Sequence, residues 1–140
     1  MSRIAQDLEQ QVRADARHRC GYCLGEQRYV LAWLEIEHIL PKAKGGQTVP
    51  ENLWLACRFC NTFKGSQTHG TDLKTKKKTA LFNPRAQVWK NHFAFSQDKA
   101  QIIGKTACGR ATVAALQINN ELALETRKNW VSVGWYPPQF

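Results

Sequence analysis

Apolar residues near the start of the chain recur at intervals of four. Ile4, Leu8 and Val12 follow this spacing, with mostly polar side chains between them. Because an α-helix turns once every 3.6 residues, side chains four apart lie on one face. The pattern predicts a short amphipathic helix over residues 2–17.

Shorter apolar runs predict the elements of the middle of the chain. Residues 29–36 are rich in aromatic and aliphatic side chains and predict a strand. A loop follows over residues 42–50, and residues 52–56 predict a second short strand. Residues 58–64 then predict a short helix that ends at Gly65, because glycine readily adopts the left-handed conformation found after helices.

The second half of the chain begins with a polar stretch and continues with mixed elements. Residues 66–79 are polar and basic, which predicts a loop or an arm. Residues 88–95 and 100–103 predict two strands, and residues 111–124 predict a helix. The chain shows no internal repeats, and its predicted helices and strands together make a mixed α+β protein.

Composition limits the class of protein without identifying it. The chain has 140 residues, 43% of them hydrophobic and 22% charged, which excludes wholesale disorder. No apolar run approaches the roughly 18 residues that a membrane helix requires. Residues 1–11 are polar and acidic where a signal peptide would be apolar. We therefore expect a soluble, cytoplasmic protein with no membrane partner.

The positive charge of the chain is concentrated in one segment. The formal net charge is +9, and residues 61–90 carry seven basic side chains against Asp72 alone. A localised basic segment is typical of proteins that bind polyanions, although charge alone also fits a solubility feature or an unstructured loop. The candidate nucleic-acid-binding residues at its centre are Lys74, Lys76, Lys77 and Lys78.

Four of the five cysteines form two Cys-x-x-Cys pairs. Such pairs place two sulfurs on one tight turn, and two pairs complete the tetrahedral thiolate shell of a structural zinc site. A redox Cys-x-x-Cys usually occurs once in a chain, so the second pair weakens a redox interpretation. The unpaired Cys108 is expected to pack as a small apolar residue. The predicted zinc ligands are Cys20, Cys23, Cys57 and Cys60.

The residues between and after the cysteine pairs form an ordered motif. Glu37-His38-x-x-Pro41, Gly45-Gly46, Asn52-Leu53 and Cys57-x-x-Cys60-Asn61-x-x-Lys64 follow the first pair in this order. This order resembles the HNH endonuclease family, whose core is a ββα-metal fold. The resemblance covers residues 20–64 and implies a DNA endonuclease with a catalytic Mg²⁺ or Mn²⁺ ion besides the structural zinc.

The resemblance also implies a role for each matching residue. His38 falls on the general base that takes a proton from the attacking water. Asn52 falls on the residue that holds the loop between the strands. Glu37 and Asn61 fall on the ligands of the catalytic metal, and Asn61 makes this chain a His-Asn-Asn variant of the motif.

The chemistry of these residue types agrees with the implied roles. A neutral imidazole accepts a proton near neutral pH, and Glu and Asn oxygens are hard ligands suited to Mg²⁺ or Mn²⁺. Lys64, one helical turn from Asn61, is expected to contact a phosphate as a point charge. Glu35 is a rival to Glu37, because both lie on one face of the predicted strand.

The sequence thus predicts four regions. An N-terminal helix spans residues 1–19, an HNH nuclease core with zinc knuckles 20–66, a basic loop or arm 67–80, and an α+β extension packed on the core 81–140. A non-catalytic zinc-knuckle module that binds nucleic acid is the alternative, since it would need the cysteines and the lysines but not the other motif residues. A redox or zinc-storage protein leaves the basic segment unexplained.

Overall fold

The computed structural model of the protein describes residues 4–140, and the α+β class is confirmed. Within that range, six short strands form three separate antiparallel pairs, β1 with β2, β3 with β4 and β5 with β6. The helices are α1 (Gln6–Asp15), α2 (Arg58–Lys64), α3 (Trp89–His92), α4 (Ala107–Ala115) and α5 (Glu121–Ser132). The strands are β1 (Glu35–His38), β2 (Leu53–Ala56), β3 (His69–Thr71), β4 (Lys78–Ala80), β5 (Phe93–Phe95) and β6 (Ile102–Gly104).

β1, β2 and α2 form a ββα unit. The register pairs Glu35 with Ala56 and His38 with Leu53, and α2 begins two residues after β2 ends. Cys57 caps this helix, because its sulfur accepts a hydrogen bond from the backbone N–H of Cys60. The helix ends at Gly65, whose φ of +53° suits a residue without a Cβ. The predicted helix over residues 58–64 is confirmed.

The two elements that precede β2 are shorter than the sequence predicted. α1 begins at Gln6, packs on β2 with Val12 buried, and the predicted helical positions 2 and 3 lie outside the described residues. Of the predicted strand over residues 29–36, only its last two residues are in β1. The Gln27 side chain hydrogen-bonds Ala32 O and Leu34 N, so these backbone groups are satisfied within a turn rather than by a neighbouring strand.

The predicted basic loop or arm contains a β-hairpin, formed by β3 and β4, that packs on α4. β3 and β4 are joined by a turn organised by Asp72, which is fully buried. Its carboxylate accepts hydrogen bonds from the backbone N–H of Lys74, the hydroxyl of Thr75 and two nitrogens of Arg110 in α4. The bidentate Arg110 contact lowers the pKa of Asp72. This buried carboxylate gives the segment more order than the predicted loop or arm.

The C-terminal elements also differ from the prediction. The predicted strand over residues 88–95 begins instead with α3, and the predicted helix over residues 111–124 is two helices separated by a turn at 116–120. The division follows local capping. Gln117 has a φ of +47°, and the Asn120 side chain accepts the N–H of Ala123 at the start of α5.

Aromatic side chains of the C-terminal half pack against the first cysteine pair. Trp89 Nε1 donates a hydrogen bond to the carbonyl oxygen of Tyr22 at 2.9 Å, and Tyr136 Oη donates to that of Cys23 at 2.7 Å. Phe82 and Phe93 pack edge to face at the centre of the same core. Within residues 4–140, no helix has both the length and the apolar character needed to cross a membrane.

Phe82 is the position at which we predict the largest loss of core stability. Its side chain is 2% exposed and contacts Tyr22, His92 and Phe93. Phe82→Ala should lower the free energy of unfolding by about 3–5 kcal/mol, measured by urea denaturation. Phe59→Ala is the matched control, since Phe59 is 55% exposed, and its effect should stay near 0.5 kcal/mol or less. Equal losses in the two variants would contradict this assignment of the core.

Candidate active site and metal centre

Four cysteine sulfurs meet where the turn at residues 20–23 approaches the start of α2. The Sγ atoms of Cys20, Cys23, Cys57 and Cys60 all lie within 4.8 Å of one another. Cys23 Sγ and Cys57 Sγ are 3.8 Å apart. A tetrahedron with Zn–S bonds of about 2.3 Å has edges of about 3.8 Å, so the spacing fits a single zinc ion. The two predicted cysteine pairs therefore form one candidate zinc site.

The backbone around the cysteines is shaped for thiolates. The N–H of Tyr22 points at Cys20 Sγ over 3.5 Å, and the N–H of Cys60 points at Cys57 Sγ over 3.4 Å. These contacts stabilise negative sulfur atoms. Hydrogen bonding with Cys20 and the other sulfurs lowers the pKa of Cys23 and raises the pKa values of Cys57 and Cys60. The thiols thus compete to ionise, and a bound Zn²⁺ ion would remove that competition.

His38 stands at the end of β1, partly exposed. Its Nε2 lies 2.8 Å from Thr48 Oγ1 in the loop between β1 and β2. Partial burial, followed by the charges of Lys42 and Lys64, lowers the pKa of His38 below its ordinary value. The imidazole is therefore neutral at pH 7 and able to accept a proton.

Asn52 closes the loop that carries Thr48. Its Oδ1 accepts the N–H of Leu40 at 2.8 Å, and its Nδ2 donates to the carbonyl oxygens of Leu40 and Gln47. All three contacts are to backbone groups on either side of the loop. Asn52 thus makes the kind of loop contact that the family resemblance implies, and it contributes to the site through the shape of the loop that faces His38.

Glu37 points away from solvent into a small polar network. The residue is 3% exposed, and its Oε1 accepts a short hydrogen bond from the hydroxyl of Tyr22. Its Oε2 lies 3.5 Å from Lys64 Nζ and has no hydrogen-bond partner within residues 4–140. Burial raises the pKa of Glu37 to about 7, against the opposing effects of Lys64 and Tyr22. This position does not fit the predicted role of Glu37 as a ligand of a solvent-accessible cation.

Lys64 is buried as well, which corrects its predicted contact with a phosphate. It is 2% exposed, and its ammonium group points inward. Nζ donates to the carbonyl oxygens of Ile39 at 3.1 Å and His38 at 3.4 Å. These contacts join α2 to the end of β1, and they leave the ammonium out of reach of a surface phosphate.

Asn61 pairs with Glu35 rather than with Glu37. Its Nδ2 donates to Glu35 Oε1 at 2.8 Å, and both residues are partly exposed. The pair offers one carboxylate and one amide oxygen, which are hard ligands of the kind that Mg²⁺ and Mn²⁺ prefer. Of the sequence-predicted metal ligands, the structure therefore places Asn61 beside the rival carboxylate.

The predicted hairpin lysines and two further histidines lie outside this group. Lys74, Lys76, Lys77 and Lys78 are exposed on the hairpin of β3 and β4. His92 hydrogen-bonds Thr106 and Gln87 in the C-terminal half, and His69 hydrogen-bonds Thr68. None of these side chains contacts His38 in the structure described by residues 4–140.

Two residues of the site gave no clear signal in the sequence. Tyr22 lies between the first two cysteines, where the spacing assigns no role to the residues in between. Thr48 lies in a polar loop that contains glycine. Both roles depend on contacts across 10 or 15 residues, which spacing along the chain does not reveal. The one available signal for Tyr22 was general: a tyrosine next to predicted zinc ligands is expected to be buried, and a buried hydroxyl requires a hydrogen-bond partner.

A ββα unit closed by four cysteines, with a neutral histidine at its strand end, defines a nuclease-type or nucleic-acid-interacting module. The family model described as HNH endonuclease matches residues 20–67. Residues 20–67 are therefore similar to an HNH endonuclease domain, and the resemblance stated from the motif is confirmed. Neither the curated proteins nor the solved structures gave a match to the chain.

We predict that the cysteine cluster binds zinc and that the fold depends on it. Cys57→Ser should abolish the binding of about one zinc per chain and unfold the ββα unit, because the energy of metal binding is also folding energy. Metal analysis and circular dichroism measure the two effects. Cys108→Ser is the matched control, since Cys108 lies outside the cluster and should keep both zinc and fold. Folded wild-type protein without zinc would contradict the prediction.

Proposed function

We propose that this protein is a metal-dependent endonuclease that hydrolyses DNA phosphodiester bonds. The observation that carries the proposal is the position of His38, neutral at pH 7, at the end of β1 in an HNH domain. Hydrolysis requires a proton acceptor for the attacking water, and His38 has the chemistry for that role. The zinc site is structural, since four protein sulfurs leave it no open position.

The contact with Thr48 suits one tautomer of His38 for the role of the base. If Nε2 carries the proton and donates a hydrogen bond to Thr48 Oγ1, Nδ1 keeps its lone pair and can accept the proton of the attacking water. Thr48 and Asn52 together fix the ring relative to the strand. Their role is to hold the base in one orientation, which is worth a large part of the rate in reactions of this type.

A hard divalent cation, Mg²⁺ or Mn²⁺, would be held by Asn61 and a carboxylate of β1. When bound, such an ion polarises the scissile phosphate and stabilises the leaving oxygen. The chain's own residues do the rest. His38 takes the proton, Asn52 shapes the loop, and the exposed lysines of the hairpin attract the phosphate backbone.

A non-catalytic zinc-knuckle module that binds nucleic acid is the second candidate. The exposed lysines on an ordered hairpin favour it as much as they favour an enzyme. It gives no reason for a neutral histidine held by Thr48, or for an amide paired with a carboxylate on the same ββα unit. The two candidates differ in one measurable property, which is cleavage of supercoiled plasmid DNA in the presence of Mg²⁺ or Mn²⁺.

His38→Ala should lower the rate of plasmid cleavage by about 10²–10⁴-fold, the usual contribution of a positioned base. Zinc content and DNA affinity should stay unchanged. Because the pKa of His38 lies below its ordinary value of about 6.5, the wild-type rate should rise with pH below that value and level off above it. His18→Asn is the control, since asparagine tolerates the positive φ of 55° at this position. Undiminished cleavage by His38→Ala would refute the role of the base.

The hairpin lysines should supply affinity without sequence preference. Changing Lys74, Lys77 and Lys78 together to Gln should weaken binding to DNA duplexes of any sequence. It should also reduce the slope of log K against log salt by up to about 3, since each lost phosphate contact removes about 0.9. The matched control changes three other exposed lysines, Lys90, Lys105 and Lys128, to Gln. An identical salt slope in both triple variants would show that the hairpin does not contact phosphate.

A further inference from the structure

The two carboxylates of β1 lie on the same side of the strand but have different surroundings. Glu35 is partly exposed and accepts a hydrogen bond from Asn61. Glu37, two residues further along, is buried between Tyr22 and Lys64. One carboxylate therefore faces a polar, accessible position, and the other faces the interior.

We propose that Glu35, not Glu37, is the carboxylate that binds the catalytic cation, and that Glu37 acts with Tyr22 and Lys64 as a positioning network for His38. The inference rests on the proposed function and divides the two acids of β1 between two tasks. It departs from the role that the motif resemblance gives to the residue preceding the base. It also gives Tyr22 a role that the sequence did not suggest.

Both oxygens of Glu37 face groups inside the protein, although Oε2 has no hydrogen-bond partner within residues 4–140. Oε1 holds the Tyr22 hydroxyl, and Oε2 faces the Lys64 ammonium at 3.5 Å. A divalent cation on Oε2 would lie next to that ammonium and be repelled by it, in surroundings where charges are weakly screened. Glu35 has no such neighbour among its recorded contacts, and its partner Asn61 keeps an amide oxygen for the same ion.

Lys64 connects Glu37 to the strand end that carries the base. An ammonium group has three donors, and Lys64 directs them at the carbonyl oxygens of His38 and Ile39 and towards Glu37. The backbone of His38 is thus fixed from the α2 side, while Thr48 fixes its ring from the loop side. Without the negative charge of Glu37, the buried ammonium group of Lys64 would have no compensating charge. Its present position would then no longer be favoured.

Tyr22 extends the network to the first cysteine pair. The residue is fully buried, its N–H points at Cys20 Sγ, and its hydroxyl donates to Glu37. Four side chains therefore form a continuous path from the candidate zinc site to the base, namely Cys20, Tyr22, Glu37 and Lys64. The path gives Tyr22, inside the first cysteine pair, a contact with the network that holds His38.

Binding of Mn²⁺ tests the division between the two acids without any need for cleavage. The full-length, zinc-loaded protein is mixed with a short DNA duplex, and Mn²⁺ binding is followed by the electron paramagnetic resonance signal of the free ion. Glu35→Gln should raise the dissociation constant of Mn²⁺ by more than about 10-fold. Even the loss of a residue that only supports a metal ligand usually weakens metal binding by about that factor or more. Glu37→Gln should leave the dissociation constant unchanged, as should the control Glu125→Gln, an exposed acid on α5.

Kinetics and nuclear magnetic resonance test the positioning network. Tyr22→Phe and Glu37→Gln should lower kcat by about 10- to 100-fold at an unchanged half-saturating Mn²⁺ concentration, because they move the base and not the ion. Glu35→Gln should raise that concentration instead. The ring resonances of His38, identified by their loss in His38→Ala, should shift in Tyr22→Phe, while those of His69 on the hairpin stay in place.

Each outcome decides a separate part of the inference. Loss of Mn²⁺ affinity in Glu37→Gln, or no Mn²⁺ binding by wild-type protein, overturns the assignment of Glu35. Unshifted His38 resonances in Tyr22→Phe overturn the positioning network, and this measurement remains valid if Glu37→Gln fails to fold. A wild-type protein that binds Mn²⁺ through Glu35 and never cleaves DNA refutes the proposed function while the assignment of Glu35 stands.

Discussion

Thirty-three residues separate Cys23 from Cys57, and the cysteine cluster brings the two ends of this segment to within a few ångströms. The loop between β1 and β2 and both strands lie inside that closed segment. The three two-stranded sheets within residues 4–140 provide few long-range backbone ladders to hold such a loop. The sulfur cluster is thus the constraint on which the geometry of His38, Asn52 and α2 depends. Removing it would leave two strands of four residues each, which are too short to persist alone.

The sequence predicted those parts of the molecule whose cause is local. The helix over residues 58–64 has a capping cysteine at its start and a glycine at its end, and both signals are read within one turn. The cysteine cluster followed from spacing, because few other structures use two such pairs. The strand over residues 29–36 was placed too early, since the Gln27 side chain replaces strand partners with its own hydrogen bonds. No propensity scale contains that contact.

The motif members of the candidate site were predictable, but the directions of their side chains and the contributions of Tyr22 and Thr48 were not. The motif supplies Glu37, His38 and Asn61, Glu35 is the rival acid beside it, and alternation along a strand places the two acids on one side. Which acid is buried depends on what lies opposite, and the opposing groups come from the first knuckle and from α2. Tyr22 and Lys64 therefore decide the environment of Glu37, from distances of 15 and 27 residues along the chain. Burial of Lys64 was unexpected for the same reason, because lysine is rarely buried unless it is paired.

The positive charge of residues 61–90 is concentrated on the hairpin once the side chains that have partners inside the protein are set aside. Of the seven basic residues between positions 61 and 90, Lys64 lies inside against Glu37, Arg85 pairs with Asp15, and Lys90 lies over the Phe140 ring. The one acid of the segment, Asp72, is buried and neutralised by Arg110. What remains at the surface of this segment is the group of four hairpin lysines together with Lys90, whose ammonium keeps its charge over the Phe140 ring. A carboxylate that organises the turn from inside therefore leaves the outer face of the hairpin purely cationic. Such a face attracts a polyanion, because the one acid of the segment is turned inward and does not repel it.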